Sequence, residues 1–259
     1  MKKTIEALYD FKIIDLQEFG NGKSSKTYKV STENKNYVLK SFTKKEEVLN
    51  EFYCLEALSE LTISPTSVRT IHNEMYVKIK RVYFICMNFI NSNKNQDSII
   101  DFFTLGQMIK NMHVRLSKLE LNRVPDRFNE SESAHRLTSK KLQAIINKKY
   151  NEYTYLSNNH SNIHGDLGSW NILETKNQMY IIDFGEVRYD SPFFDLAAIT
   201  ESFQLNNEEI KNLLNGYGAA TKDGITQLDA MREKWKLRGL IYLAVNKLKS
   251  EQDVYNLLK

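Results

Sequence analysis

The 259-residue chain is 41% apolar and carries 36 Lys+Arg against 32 Asp+Glu, a net charge of +4; this supports a packed core and argues against disorder. The two signs are interspersed rather than gathered into a basic stripe, which argues against a dedicated nucleic-acid binder. Cys54 and Cys86 lie far apart in apolar surroundings, so neither a CxxC metal pair nor a disulfide framework is indicated, and buried free thiols in a reducing cytosol fit best.

Taken in chain order, MKKTIEALYDFK has two lysines but no apolar run of signal-peptide length, and no stretch reaches about 18 uninterrupted apolar residues. The expectation is a cytoplasmic protein with no membrane association. IIDLQEF, KTYKVST and YVLKSF read as strands separated by the turn-like GNGKSS and ENKN. In EEVLNEFYCLEALSEL, Val48, Phe52, Leu55 and Leu58 recur at helical spacing, and Pro65 is expected to end that helix. MYVKIK and VYFICMNFI read as two more strands. The polar stretch NSNKNQDS, residues 91–98, marks a hinge between a strand-rich lobe over 1–90 and a larger lobe over 91–259. Leu105, Met108, Ile109, Met112 and Leu116 make one helical face, and a second long helix is expected from about Ala134 to Leu156. SNIHGDLGSWNIL and QMYIIDFGEV read as a loop and a short hairpin. After Pro192 the chain returns to helix, the longest candidate being GITQLDAMREKWKLRGLIYLAVNKL.

The strongest signal is HGDLGSWN followed by IIDFG: Asp166, then Asn171 after four intervening residues, then Asp183 twelve positions later. Isolated Asp and Asn residues in polar loops usually meet solvent or cap a turn. Their joint occurrence in this order demands another account. Phosphoryl transfer from ATP needs a magnesium-neutralised triphosphate in line with an acceptor hydroxyl. Asn171 and Asp183 supply the oxygen donors magnesium prefers, while Asp166 can orient the hydroxyl and receive its proton.

The upstream lobe offers a grip for the nucleotide. Lys40 in YVLKSF can reach the α- and β-phosphates as a point charge. On the following helix either Glu51 or Glu47 can pair with it, and Glu51 is favoured because it precedes the apolar FYCLEAL segment. Gly20 and Gly22, helped by Ser24 or Ser25, permit a tight turn whose amides approach phosphate. GKS invites a Walker A reading, but that motif requires glycine at position 17, where Gln17 stands. Met87 and Phe89 are candidates to line an apolar adenine slot.

At these residues the sequence resembles the aminoglycoside phosphotransferase and choline kinase-like family. The resemblance rests on HGDLGSWNIL, on IIDFGEVRYDSPFFDLA with Asp195, and on TLGQMIKNMH with Leu105, Gly106 and His113, and it covers nearly the whole chain. It implies an α+β, two-lobed, protein-kinase-like fold: an N-terminal antiparallel sheet with one helix, then a larger, mainly helical C-terminal lobe. It also implies Asp166 as catalytic aspartate with His164 beneath it, Asn171 and Asp183 as Mg²⁺ ligands, Lys40 as phosphate lysine, and Asp195 as a brace for the catalytic loop. His113 reads as a packed helix residue. The pair His160 and His164 has no neighbouring glutamate that would suggest zinc.

Gly165 stands where protein kinases carry arginine, and no APE element follows DFG. The expected acceptor is therefore a hydroxyl of a small molecule such as an aminoglycoside, amino alcohol or sugar, with antibiotic inactivation as one use. The alternatives are a kinase acting on protein and a silent nucleotide-binding pseudokinase. Glu186, Asp190 and Glu201 are the acidic candidates for an acceptor lining; Trp170 either packs under the loop or walls the pocket. A monomer or weak homodimer is expected.

Overall fold

A computed structural model of the chain describes residues 1–19, 26–92, 100–121, 133–155 and 159–259. They divide between two compact units, one built from residues 1–99, 114–124 and 170–187, the other from residues 100–113, 125–169 and 188–259.

The first unit holds an antiparallel sheet of strands β1 (Ile13–Phe19), β2 (Thr27–Thr32), β3 (Asn36–Phe42), β4 (Ser67–Val68), β5 (Val77–Ile79) and β6 (Val82–Asn88). The order is β1-β2-β3-β6-β4, with β5 also paired to β6. Alternation along a strand sends neighbouring side chains to opposite faces. Tyr37 and Leu39 of β3, with Val30, Phe84 and Cys86, pack against Ile5 and Tyr9 of helix α1 (Lys2–Tyr9). The sequence reading did not anticipate α1, whose eight residues are too short for periodicity to stand out.

Helix α2 (Lys45–Leu58) packs against β3 and β6. Val48, Phe52, Leu55 and Leu58, the residues of its expected face, are at most 1% exposed. The helical run stops before Pro65, at Thr62 with φ 54°. The Ser59 hydroxyl donates to the Glu56 carbonyl at 2.7 Å, satisfying a terminal acceptor within the last turn. Strands β8 (Ile172–Glu174) and β9 (Met179–Ile181) form an antiparallel hairpin in the same unit.

The second unit contains strands β7 (Ser161–Ile163) and β10 (Arg188–Asp190), paired antiparallel, and is otherwise mainly helical. Its helices include α3 (Phe102–Leu116), α4 (Lys140–Tyr155), α5 (Pro192–Phe203), α6 (Asn207–Tyr217), α7 (Lys222–Val245) and α8 (Glu251–Leu258). Helix α4 begins at Lys140, later than the expected Ala134. The Glu251 carboxylate accepts the backbone N–H groups of Thr138 and Ser139 at 2.8 and 2.7 Å, and Ser139 caps the helix through the Leu142 N–H. Leu142 and Ile146 then pack with Leu237, Ile241 and Val254. Among the described residues no helix is long and apolar enough to cross a membrane.

Both cysteines are buried free thiols. Burial pushes the Cys86 thiol up to about 12; burial, then the charge of Glu51, raises Cys54 well above the ordinary thiol range. Because the thiolate is the reactive form, neither should react with iodoacetamide at about pH 8 in the native protein, whereas both should be alkylated in denaturant. Mass spectrometry reads the difference.

Candidate active site

Each unit carries one cluster of the residues singled out above. In the first unit the pleat turns Lys40 away from the face occupied by Leu39 and α1, toward α2. Its ammonium donates to Glu51 Oε2 at 2.8 Å and to Asp183 Oδ1 at 2.7 Å. Lys40 and Glu51 are buried, while the Asp183 side chain is half exposed. Burial opposes the ammonium, but the charges of Asp183 and Glu51 outweigh it and raise the lysine pKa above its ordinary value, so Lys40 remains a cation. Glu47 is also buried and lies 3.9 Å from Lys44; Lys40 pairs with Glu51.

The β8–β9 hairpin explains how Asn171 and Asp183 meet. Asn171 precedes β8 and Asp183 follows β9, so the antiparallel pairing puts them at the same end, where the Ile182 N–H donates to the Asn171 carbonyl at 3.0 Å. Asp183 adopts the left-handed region, φ 67°, and its Oδ1 also accepts the Gly185 N–H at 3.2 Å. A Cβ at Gly185 would lie 3.1 Å from that oxygen, tighter than an ordinary contact, and 3.6 Å from the Lys40 nitrogen, so a side chain there would crowd the Asp183 carboxylate. One carboxylate and one amide oxygen fit magnesium, which takes a few protein oxygens and completes its shell with phosphate and water. No group of three or more His, Cys, Asp or Glu suited to a metal occurs among the described residues.

Met87 is buried on β6 opposite Val38. Phe89 follows, its N–H donating to the Asn36 carbonyl at 3.2 Å and its ring edge-on to Phe19. Gly20, Gly22 and Ser24 lie outside the described residues, as does most of the hinge expected over 91–98.

The cluster of the second unit centres on Asp195, fully buried in the first turn of α5. It accepts the backbone N–H groups of His164 at 2.8 Å and Gly165 at 2.9 Å, and His113 Nε2 lies 2.9 Å from its Oδ2. An ionised carboxylate only accepts, so the proton sits on His113 Nε2. Burial alone would raise the Asp195 pKa; the His113 hydrogen bond and charge, with the loop N–H groups, hold it below the usual carboxylate value. His113 Nδ1 lies 3.0 Å from the Tyr217 hydroxyl. Two glycines permit this: a Cβ at Gly106 would lie 2.3 Å from the Leu213 carbonyl oxygen, and one at Gly216 1.9 Å from that of Phe103. Helices α3 and α6 therefore cross backbone to backbone and bring His113 to Tyr217.

His164 is itself fully buried, and its Nδ1 accepts the Asp166 N–H at 3.3 Å. It sits beneath the loop. Gly165 has φ 82°, a conformation that favours glycine.

Several residues depart from the sequence reading. His113 is more than packing: it links Asp195 to Tyr217. Asp190 and Glu201 are not open carboxylates for a cationic acceptor, because Asp190 takes both hydrogen bonds of Lys234 at 2.9 Å and Glu201 pairs with Arg232 at 2.6 Å. Trp170 is 54% exposed, more than a residue buried in packing would be. The reading missed Arg188, Lys234 and Arg238, all largely buried. A signal existed on α7, where Lys234 and Arg238 interrupt the apolar series Met231, Leu237, Ile241 at helical spacing. Basic residues inside a buried stripe need partners.

Residues 15–233 match the model of the phosphotransferase enzyme family. A curated relative, the LicA homolog of Metamycoplasma hominis, is 26% identical over 133 residues; the match covers 50% of this chain and 52%, about half, of the relative. An amicoumacin kinase solved with AMP-PNP, Ca²⁺ and Ami is similar in fold, with TM-score 0.79 and 13% identity over 99% of this chain and 90% of the other. So is the choline kinase LicA from Streptococcus pneumoniae, with TM-score 0.70 and 17% identity over 99% of this chain and 95% of the other. The fold is the kinase-like one expected from the motifs, and the match to the family model over most of the length identifies the chain as a member of the phosphotransferase enzyme family.

Proposed function

We propose that this chain is an ATP- and magnesium-dependent kinase that transfers the γ-phosphoryl group to a hydroxyl of a small molecule. The observation that carries the reading is the buried Lys40 ammonium held between Glu51 and Asp183. A lysine kept charged and fixed in direction is suited to the α- and β-phosphates of a nucleotide. Asn171 and Asp183 would hold magnesium, which neutralises phosphate charge when bound. Met87 and Phe89 would line the adenine slot.

Asp166 acts on the acceptor. Its carboxylate orients the hydroxyl and takes its proton as the acceptor oxygen bonds to the γ-phosphorus; the bond from that phosphorus to the β,γ-bridging oxygen breaks, and ADP leaves with the electron pair. His164 and Asp195 hold the loop that presents it. A small acceptor is favoured over a protein because β10 alone separates Glu186 from the start of α5, leaving no long activation segment. The structural likeness to an amicoumacin kinase and to a choline kinase makes antibiotics and amino alcohols the first acceptors to try.

The test is labelled ATP with the purified chain and a panel of choline, aminopropanol, spectinomycin and sugars, in Mg²⁺. A labelled small-molecule product is expected with at least one member. Asp183→Ala should weaken ATP binding in Mg²⁺ about tenfold or more, ~1.4 kcal/mol. Equal ATP affinity of the unaltered protein with and without Mg²⁺ would contradict the metal assignment.

A further inference from the structure

Two buried guanidinium groups converge on one carbonyl of the loop that carries Asp166. Arg238 Nη1 of α7 donates to the Gly165 carbonyl oxygen at 2.9 Å, and Arg188 Nη1 of β10 donates to the same oxygen at 3.2 Å. This oxygen belongs to the peptide joining Gly165 to Asp166, and the N–H of that same peptide donates to His164 Nδ1 at 3.3 Å. The peptide is thus gripped at both ends, while Asp195 takes the preceding N–H, that of Gly165, at 2.9 Å.

Bringing two cations to one dipole is electrostatically demanding, and the surroundings show how it is tolerated. The ring of the fully buried Phe194 has Arg188 Cζ 4.5 Å and Arg238 Cζ 5.5 Å from its centroid, positions in which the π face attracts cations. Asp190 sits 3.4 Å from Arg188 Nε and neutralises Lys234. Arg238 and Lys234, four residues apart, occupy one face of α7. A left-handed glycine has freedom to rotate its following peptide, and such a rotation would swing the Asp166 side chain.

We infer that Arg238, together with Arg188, is a positioning residue for the proposed base Asp166: the pair locks the Gly165–Asp166 peptide by gripping the Gly165 carbonyl. The inference rests on the phosphotransfer reading for its catalytic consequence, but not for its structural one.

The experiment uses the full chain, unaltered and as Arg238→Ala, Arg238→Lys and Arg188→Ala. Deuterium exchange reads the loop, and hydrolysis of ATP in Mg²⁺, with water as acceptor, reads turnover. In Arg238→Ala, exchange should rise in peptides covering residues 161–168 and stay unchanged in α3 and α6. The kcat should fall on the order of tenfold to a hundredfold, the effect of a small misplacement, with KM for ATP within about twofold. Added guanidinium ion should restore part of kcat, which a loss of bulk stability would not permit. Unchanged loop exchange with unchanged kcat would overturn the inference, as would a loss spread through the whole unit that guanidinium fails to relieve. Where Arg238→Ala does not fold cooperatively, Arg188→Ala and Arg238→Lys decide by the same readouts. If the unaltered chain hydrolyses no ATP and phosphorylates no member of the acceptor panel, the phosphotransfer reading fails, and the exchange measurement still decides the lock.

Discussion

Asp166→Asn is expected to lower phosphoryl-transfer turnover by about 10²- to 10⁴-fold, the range supplied by a positioned general base, while ATP affinity and thermal stability stay near those of the unaltered chain. The reason is chemical. The amide preserves the shape of the side chain but has no carboxylate to take the acceptor proton. The backbone geometry that presents residue 166 depends on the Asp166 N–H to His164 and the Gly165 contacts to Asp195 and the arginines, none of which the substitution removes. Steady-state kinetics with the acceptor identified from the panel checks it. Turnover preserved to within a factor of about two would show that Asp166 is not the base.

The second large effect is expected at Asp195. Its two oxygens serve His164 N–H, Gly165 N–H and His113 Nε2 in a fully buried site. Asp195→Ala leaves these buried donors unsatisfied, and each such loss typically destabilises by about 1–3 kcal/mol. Denaturant unfolding should show that loss, and turnover should fall with it because the loop that presents the proposed base Asp166 loses its anchor. The same carboxylate carries a pH dependence of definite sign. Its folded-state pKa is lowered, so its contribution is fully present above the ordinary aspartate value of about 3.9 and is lost as pH falls below that value through the folded one. Asp195→Asn should flatten the acid limb of stability; an unchanged acid limb would argue that other carboxylates dominate it.

Much of the fold was legible because local pattern and tertiary demand coincide. The residues Val48, Phe52, Leu55 and Leu58 lie at helical spacing and are all buried, and Leu105, Met108, Ile109 and Met112 of α3 repeat the lesson. The strands β1, β2, β3 and β6 fall where β-branched and aromatic residues run between turn signals. Boundaries were less legible where a distant group sets them. Helix α4 starts at Lys140 because Glu251, more than a hundred residues later, ties down Thr138 and Ser139. Nothing within the local sequence announces that partner.

The candidate site divides in the same way. The chain itself supplies Asp166, Asn171 and Asp183 in fixed order and Lys40 on a strand, since the proposed phosphotransfer chemistry demands those residue types and a short loop and hairpin fix their spacing. What that pattern left open was partner choice. Lys40 could pair with Glu47 or Glu51, and both are buried on α2; the packing of that helix on β3 selects Glu51. His113 looked like core until the close crossing at Gly106 and Gly216 set it between Asp195 and Tyr217. Arg188 and Arg238 were invisible as a pair because they are fifty residues apart in the chain and meet at a single backbone oxygen. Residue identity and spacing thus determined the family and its chemical groups, whereas long-range hydrogen bonding, which has no period in sequence, decided which of those groups hold one another in place.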